Sequence, residues 1–195
     1  MAKKTIRVRC YGRMSYPKLF EPDAMEAGQE KKYSIELIVD KDDLCLAKLK
    51  TGCAEMMAEK FPNPDTRPKA KLPIIDGSKL NAERIEDGGE GRPEVEDKYI
   101  LRPKSGVKYP PQLCDQNLLP VTEAQGLLYA GCYVFASVTP FYFSVSGNKG
   151  IGLALNGVQF AKHGDPFGSG PSKASDLFDE VESTGGDEEN DFDIM

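Results

Sequence analysis

The sequence has few of the side chains that build catalytic centres. Its 195 residues include one histidine, His163, and no tryptophan. A lone histidine beside a glycine-rich segment cannot form a Ser-His-Asp triad with an identifiable partner, and a surface role is expected for it. The chain contains no G-x-x-x-x-G-K-[ST] phosphate loop, and the glycines at 147, 150 and 152 belong to a predicted hairpin. No catalytic residue is predicted, and an enzyme is not the favoured class.

Paired cysteines and long apolar runs are absent too. The five cysteines form no C-x-x-C pair and lie far apart, at Cys10, Cys45, Cys53, Cys114 and Cys132. Neither a zinc site nor a disulfide framework is predicted, and reduced, mostly buried thiols are expected. No segment approaches the roughly 18 apolar residues of a membrane span, and MAKKTIRVRC lacks the apolar core of a signal peptide. We expect a soluble cytoplasmic protein with no metal, no cofactor and no membrane partner.

Positive charge is nearly missing from one end of the chain. Residues 171–195 contain nine carboxylates and one lysine, whereas the whole chain has 25 Lys and Arg against 31 Asp and Glu. The remainder therefore has 24 cations against 22 acids and is mildly basic. A basic body joined to an acidic end is typical of proteins that handle nucleic acid.

The acidic end also carries an apolar tip. Because a run of like charge cannot pack into a core, residues 176–195 are predicted to be a solvated tail, joined by a flexible linker at 164–175 to a domain at 1–163. A tail that served solubility alone would have no need of an apolar tip, although that simpler role is the alternative. The residues expected to bind a partner protein are Asp191, Phe192, Asp193, Ile194 and Met195.

Alternating apolar residues predict a mainly β domain. Residues 5–11 place Ile6, Val8 and Cys10 on one face, and residues 33–39 repeat the pattern. Further strands are predicted at 98–104 and on both sides of a turn at 146–150, which makes a long hairpin. Five or six strands are expected in total.

One helix is predicted after the second strand. An aspartate at 40, 42 or 43 can cap it, and prolines at 62 and 64 end it near Lys60. Its apolar stripe indicates packing on the core. The segments at 12–29, 61–96 and 105–120 are rich in proline, glycine and charge, and they are predicted to be loops with at most a short element near 72–75.

Basic and aromatic side chains are interleaved on these strands and loops. Single strands of nucleic acid bind where cations line a groove and rings stack on bases, at about 1–3 kcal/mol per base. Arg7, Arg9 and Tyr11 are the strongest candidates, because their neighbours on the strand already form its core face. The hairpin aromatics fit a place in the core equally well. The full candidate set is Arg7, Arg9, Tyr11, Arg13, Tyr16, Arg102, Lys104, Lys108, Tyr109, Tyr133, Tyr142 and Lys149.

Two functions are compatible with these patterns. The first is binding of single-stranded DNA by phosphate neutralisation and base stacking. The second is a protein-interaction adaptor with a small β-barrel and an acidic docking tail, which accounts better for the modest charge of the body. A nuclease would need carboxylates clustered at strand ends to hold metal ions, and no such cluster is predicted. The patterns leave open whether the chain forms a homodimer.

The order of several segments resembles a known family. They are YGRMSYPKLFEP at 11–22, KKYSIELIVDKDD at 31–43, GCYVFASVTPFYF at 131–143 and GNKGIGLALNGVQFAKHGDPFG at 147–168. Together they resemble bacteriophage single-stranded DNA-binding proteins over most of residues 5–168. The resemblance implies an OB-fold, a five-stranded, partly open β-barrel that binds single strands across one face. It also implies that the protein coats DNA in phage replication or recombination and recruits proteins of those processes through its tail. The tail is similar to those of single-stranded DNA-binding proteins generally, but it ends in Ile-Met where the bacterial cellular proteins typically end in Pro-Phe.

Overall fold

The computed structural model describes residues 6–24, 28–69, 72–145 and 147–168, with only the backbone at 66, 68 and 69. Within these ranges the chain forms eight strands and two α-helices. The strands are β1 (Val8–Asp23), β2 (Lys32–Asp40), β3 (Ile74–Asp76), β4 (Lys98–Leu101), β5 (Lys104–Gly106), β6 (Gln112–Cys114), β7 (Tyr133–Val145) and β8 (Asn148–Lys162). The helices are α1 (Leu44–Lys60) and α2 (Gly77–Glu86). The mainly β prediction and the β7–β8 hairpin are confirmed.

Five of the strands form a closed ring. β1 pairs with β7, β7 with β8, β8 with β5, β5 with β2, and β2 returns to β1. The ring is antiparallel except for the short β5–β8 pairing. β4 and β3 extend the sheet beyond β2, and β6 lies parallel to β8. The ring closes because β1 changes partner along its length, from β7 at its start to β2 further on.

The change of partner in β1 requires a glycine. Gly12 lies where β1 crosses from β7 to β2, and a Cβ at this position would be 2.4 Å from the carbonyl oxygen of Ile38. β1 then continues through residues that the sequence predicted to be a loop, so that prediction is wrong. The register against β2 shifts after Ser15 and again after Lys18. Pro17 and Pro22 lie within these two shifts and do not end β1, because bulges accommodate proline in a strand.

The core lies inside the ring and under α1. The inward residues of β1, β2, β7 and β8 pack together with the buried face of α1. Asp43 caps α1 by accepting a hydrogen bond of 2.7 Å from the backbone N–H of Cys45. Four of the five cysteines are buried in this arrangement, as expected. The inward residues that set the faces of the strands are Val8, Cys10, Met14, Ile35, Leu37, Val39, Val134, Ala136, Val138, Leu153 and Leu155.

The prediction of a single helix is wrong, because α2 forms within the segment predicted to be irregular. Asp76 caps it by accepting from the N–H of Lys79 at 3.2 Å. Asn81 is buried, and its side chain accepts from the N–H of Arg92 at 2.6 Å. α2 and the segment after it cover a small second cluster formed by Ile38, Val95 and Ile100. Leu80 packs on this cluster, but α2 has too few apolar residues to form a stripe from which a helix is predicted.

Two further strand predictions need correction. The strand predicted at 98–104 is divided into β4 and β5, with Arg102 and Pro103 between them. The loop predicted at 105–120 contains β6. Among the residues that the structure describes, no helix is long and apolar enough to span a membrane.

Candidate functional site

The outer face of β1, β7 and β8 carries a cluster of rings and cations. Tyr11 is paired with Phe135 and Arg13 with Tyr133 across β1 and β7, and Tyr133 is paired with Lys162 across β7 and β8. Directly paired residues share a face of the sheet. These residues alternate with buried ones such as Cys10 and Val134, so they point away from the core. We call this surface the aromatic face; its members are Arg9, Tyr11, Arg13, Tyr133, Phe135 and Lys162.

Tyr11 lies at the centre of the aromatic face. Its ring centroid is 5.8 Å from that of Tyr133, with the ring planes 16° apart. The centroid of Phe135 is 5.0 Å away, and that ring is tilted by 48°. All three rings are only partly buried. They form a continuous apolar surface that flat groups can contact.

Two exposed cations border the rings. The guanidinium carbon of Arg9 lies 3.7 Å from the ring centroid of Phe135, and Nζ of Lys162 lies 4.6 Å from that of Tyr133. Arg9 also donates from Nη2 to Oε1 of Gln159 at 3.3 Å. Cation–π contacts at exposed sites are worth about 0.5–1 kcal/mol each, so they orient these side chains without burying their charge.

Arg13 plays a different part, because it is bonded to the chain that follows β8. Its Nε donates to the carbonyl oxygen of Gly131 at 3.0 Å, and its Nη2 donates to that of Asp165. Its guanidinium carbon lies 4.1 Å from the ring centroid of Phe167. Residues 164–168, where the predicted linker begins, are therefore packed beside the aromatic face. Residues 169–175 lie outside the described part of the chain.

Several predicted site residues lie apart from the aromatic face. Arg7 is exposed directly before β1, and Lys108 and Tyr109 are exposed on the turn after β5. Lys149 is exposed near the far end of the hairpin. Tyr142 has the opposite parity to Tyr133 on β7, and its ring contacts Phe61 edge-on at 5.5 Å. The structure thus divides the predicted residues among separate surfaces.

Tyr16, Arg102 and Lys104 meet at a second place, a cleft of about 450 Å³. Its walls come from the second half of β1, the start of β2, the junction of β4 and β5, α2 and the segment after α2. Two carboxylates line it, Asp23 and Glu36. We call it the basic cleft because five cations line it, namely Lys18, Arg84, Arg92, Arg102 and Lys104.

Glu36 organises the basic cleft. Its Oε1 is 2.7 Å from Nη1 of Arg92, and its Oε2 is 2.9 Å from both Nε and Nη2 of Arg102. Arg92 is also paired through Nε with Glu94 at 2.8 Å. Glu36 and Arg92 are 5% and 9% exposed, and buried charges of this kind are tolerated only when they are paired. Glu36 therefore holds two arginine side chains in fixed positions.

Burial and neighbouring cations act on Lys104. Desolvation, followed by the charges of Lys32 and Arg102, lowers the pKa of Lys104 below its ordinary value. Both effects disfavour the charged form of the ammonium group. Among the residues that line the basic cleft, cations outnumber carboxylates.

The candidate set from the sequence lacks six charged residues of these two surfaces: Lys18, Asp23, Glu36, Arg84, Arg92 and Lys162. Parity along β8 would place Lys162 on the buried side with Val158 and Phe160, and a register shift between β7 and β8 pairs it with Tyr133 instead. Arg84 and Arg92 lie in the segment predicted to be irregular, where no period assigns a face. Phe135 was left open between core and surface, and the structure places it on the outer face.

The histidine and the potential metal ligands remain to be placed. His163 packs on the surface, with its ring 4.9 Å from Phe160 and 5.9 Å from Tyr129. Within residues 6–24, 28–69, 72–145 and 147–168, no three His, Cys, Asp or Glu side chains are grouped to hold a metal ion.

Comparison with known proteins gives consistent results. A family model described as "Enterobacter phage Enc34, ssDNA-binding protein" matches residues 5–192. Protein p50 of Acyrthosiphon pisum secondary endosymbiont phage 1 is 30% identical over 171 residues, which span 87% of this chain and 90% of that protein. Similar solved structures include the single-stranded DNA-binding protein from bacteriophage Enc34 in complex with ssDNA. Its TM-score is 0.64 at 25% sequence identity, and the match covers 83% of this chain and 89% of that chain. The single-stranded DNA-binding protein gp2.5 of bacteriophage T7 has a TM-score of 0.58 over 93% of this chain and 98% of that one. At 13% identity, this second likeness shows the fold alone.

Proposed function

The chain belongs to the family of the Enterobacter phage Enc34 ssDNA-binding protein, and on this premise we propose that it binds single-stranded DNA without sequence preference. The observation that carries the proposal is the aromatic face. It presents three partly exposed rings bordered by exposed cations. Every base has a π face, so stacking on such rings tolerates any sequence.

The arrangement of the aromatic face supports a division of roles. Arg9 lies over Phe135 and Lys162 lies near Tyr133, which leaves Tyr11, at the centre, as the main stacking ring. Arg9 and Lys162 are assigned to the phosphates on either side of the stacked bases. Arg7, exposed just before β1, is assigned to the same phosphate path. Arg13 is assigned mainly to holding residues 164–168, because two of its nitrogen atoms already donate to backbone carbonyls.

Lys108, Tyr109, Tyr142 and Lys149 remain proposed DNA contacts of lower rank. Lys108, Tyr109 and Lys149 are exposed, so a longer strand of DNA can reach them without rearrangement. Tyr142 is partly buried against Phe61, and its contact with DNA requires the strand to pass over the opposite side of the hairpin.

The same premise extends to the fold and to the biological role. We assign the ring of five strands to an OB-fold, in which a partly open barrel binds single strands across one face. We further propose that the protein coats single strands in phage DNA replication or recombination. Residues 176–195 would recruit proteins of those processes through Asp191, Phe192, Asp193, Ile194 and Met195, which lie outside the described residues.

The position of residues 164–168 supports a second role for the acidic tail. Phe167 packs on Arg13 beside the aromatic face, so the chain leaves the described part of the fold next to the surface assigned to DNA. We propose that the carboxylates of the tail cover the cations of this surface when DNA is absent, and that DNA displaces them.

A salt series tests the proposed function. Fluorescent oligo-dT is titrated with the full-length protein at increasing salt, and binding is measured by anisotropy. A plot of the logarithm of the association constant against the logarithm of the salt concentration is expected to be a falling straight line. Its slope should have a magnitude of about 0.7 for each phosphate contact. An adaptor that binds only protein would form no salt-dependent complex with the oligonucleotide, and that outcome would refute the proposal.

A further inference from the structure

We propose that the free edge of β7 binds residues 1–5 of the same chain, which continue β1 in its existing register and bring Lys3 to the outer face as a further phosphate contact. Residues 1–5 lie outside the described part of the chain. The docking is independent of the proposed function, whereas the role of Lys3 in DNA binding rests on it.

β7 extends beyond the part of it that pairs with β1. β1 is paired with β7 only as far as Val8, which lies opposite Val138. The pairing of β7 with β8 continues to Val145. Among the described residues, positions 139–145 therefore have a partner strand on one side only. An edge of this kind offers backbone groups with which a further strand can pair.

The residues of β7 that bond towards β1 have even numbers. Just before β7, the carbonyl oxygen of Cys132 accepts from the N–H of Met14 at 2.9 Å, and the direction of bonding alternates along an antiparallel ladder. The positions with this orientation at the free edge are Pro140, Tyr142 and Ser144. Proline is tolerated at an edge because it has no N–H to leave unpaired. Tyr142 and Ser144 thus supply the N–H groups that a docked strand would bond.

A groove of about 490 Å³ lies beside this edge. It is lined by Ile6, by four residues of β7 and by five residues of α1. Ile6 packs on α1, since a Cβ on Gly52 would lie 3.1 Å from its side chain. The chain therefore leaves the described part of the fold at the groove. Residues 1–5 reach the edge without closing a loop, whereas any other strand loses the entropy of loop closure or of association.

The register determines which face each docked residue takes. Continued backwards from Val8, it places Thr5 opposite Phe141. Two residues earlier, it places Lys3 opposite Phe143. The two phenylalanines have the same parity on β7 as Tyr133 and Phe135, so they belong to its outer side.

Lys4 falls on the opposite face, towards α1. The charged residues that line the groove are Glu55, Glu59 and Lys60. Lys60 is paired with Glu59 at 3.3 Å, and Glu55 has no ion-pair partner among the described residues. This balance favours a lysine in the groove and disfavours the acidic residues 176–195 as its occupant.

Docking would lengthen the path assigned to DNA. Lys3 would share the outer face with Arg7 and Arg9, because alternate residues of a strand point to the same side. The ring centroids of Phe141 and Phe143 are 6.4 Å apart, and Phe141 is 43% exposed. These rings would lie beside Lys3 and offer bases a stacking surface beyond the aromatic face.

Disulfide cross-linking of the full-length protein tests the docking. In a pair that is not hydrogen-bonded, the Cα atoms are about 4.5 Å apart, which a disulfide can span. Lys3→Cys combined with Phe143→Cys is expected to form a disulfide within one chain on oxidation with oxidised glutathione. Lys4→Cys combined with Phe143→Cys is the matched control, and it should form at least about tenfold less, because residue 4 would point to the other face. Mass spectrometry of non-reduced digests identifies the linked peptides.

Three results would overturn the docking. Equal cross-linking in the two variants would show a segment without a fixed register. No cross-link in either variant would show that residues 1–5 do not reach the edge. A disulfide between two chains, seen as a dimer on a non-reducing gel, would assign the edge to a second copy.

Hydrogen exchange followed by NMR gives a measurement that needs no added cysteine. Deletion of residues 2–5 should make the amides of Tyr142 and Ser144 exchange at least about tenfold faster. Unchanged exchange would contradict the docking. Protection that is lost only when residues 176–195 are deleted would assign the edge to the acidic tail and would also refute it.

Lys3→Gln and Lys4→Gln are a matched pair for the role in DNA binding. Lys3→Gln should reduce the salt slope for oligo-dT by about 0.7, and Lys4→Gln should leave it unchanged. Equal reductions would contradict the assignment of the two faces, and an unchanged slope in Lys3→Gln would remove Lys3 from the phosphate path. If the wild type does not bind oligo-dT, the proposed function fails, while the cross-link still decides whether residues 1–5 dock.

Discussion

Replacing Tyr11 by alanine tests the centre of the aromatic face. The ring of Tyr11 contacts both other rings and is only partly buried. Loss of one base stack costs about 1–3 kcal/mol, which corresponds to a rise in the dissociation constant of roughly 5- to 150-fold. Since the substitution removes no cation, the salt slope should stay the same, and the salt titrations of the wild type and the variant should run parallel.

The same substitution has a calculable effect on folding. Each of the two ring pairs contributes about 0.5–1.5 kcal/mol, so Tyr11→Ala should lower the free energy of unfolding by about 1–3 kcal/mol. For a chain of this size each kcal/mol shifts Tm by about 2–4 °C. A typical domain has about 5–15 kcal/mol of stability, and the variant should therefore remain folded.

Anisotropy titrations with oligo-dT and thermal unfolding of the same preparations measure both effects. Tyr11→Phe is the control, because it keeps the ring and should retain most of the affinity. Wild-type affinity in Tyr11→Ala would show that the aromatic face does not stack bases. An unfolded variant would show that Tyr11 is part of the core, and the reasoning from its partly exposed position would be wrong.

Three further predictions follow from the same geometry. Arg9→Gln should reduce the salt slope for oligo-dT by about 0.7, and an unchanged slope would remove Arg9 from the phosphate path. Deletion of residues 176–195 should tighten DNA binding and flatten its response to salt at low ionic strength, whereas unchanged affinity would remove the competition between tail and DNA. Gly12→Ala should lower the free energy of unfolding by about 1–3 kcal/mol in urea titrations, because its Cβ would meet the carbonyl oxygen of Ile38. Gly106→Ala is the matched control, because its Cβ would meet no atom within 4 Å. Equal losses of stability in the two variants would contradict the argument.

Local alternation determined the strands that form the aromatic face. A period of two residues assigns Cys10 and Val134 to the core and Tyr11 to the outside without knowledge of any partner strand. For this reason the mainly β class, the hairpin and the orientation of the first strand could be predicted from the sequence. The same period could have separated Tyr142 from Tyr133, since the two differ in parity on one strand.

The predictions from proline content and polar composition were wrong where contacts between elements determine the local structure. Pro17 and Pro22 signalled a loop, but pairing with β2 keeps β1 extended and places the prolines at bulges. Residues 77–86 contain two large apolar residues, Leu80 and Ile85, so α2 depends on its cap, on the packing of Leu80 and on the contacts of Asn81. The first error arises because β1 is held extended by a partner strand, and the second because α2 packs against residues that follow it in the chain.

The sequence by itself determined the distribution of charge and the faces of the strands. The body is mildly basic, the end is acidic, and the strands have one apolar face and one face of rings and cations. Only the tertiary structure decided which of those rings and cations meet. The basic cleft brings together β1, β2, α2 and the junction of β4 and β5, from positions 16 to 104 of the chain. Periodicity reports which way a side chain points along its own strand, whereas proximity between strands depends on register and closure of the ring. Glu36 and Arg92 therefore become neighbours only when the chain has folded.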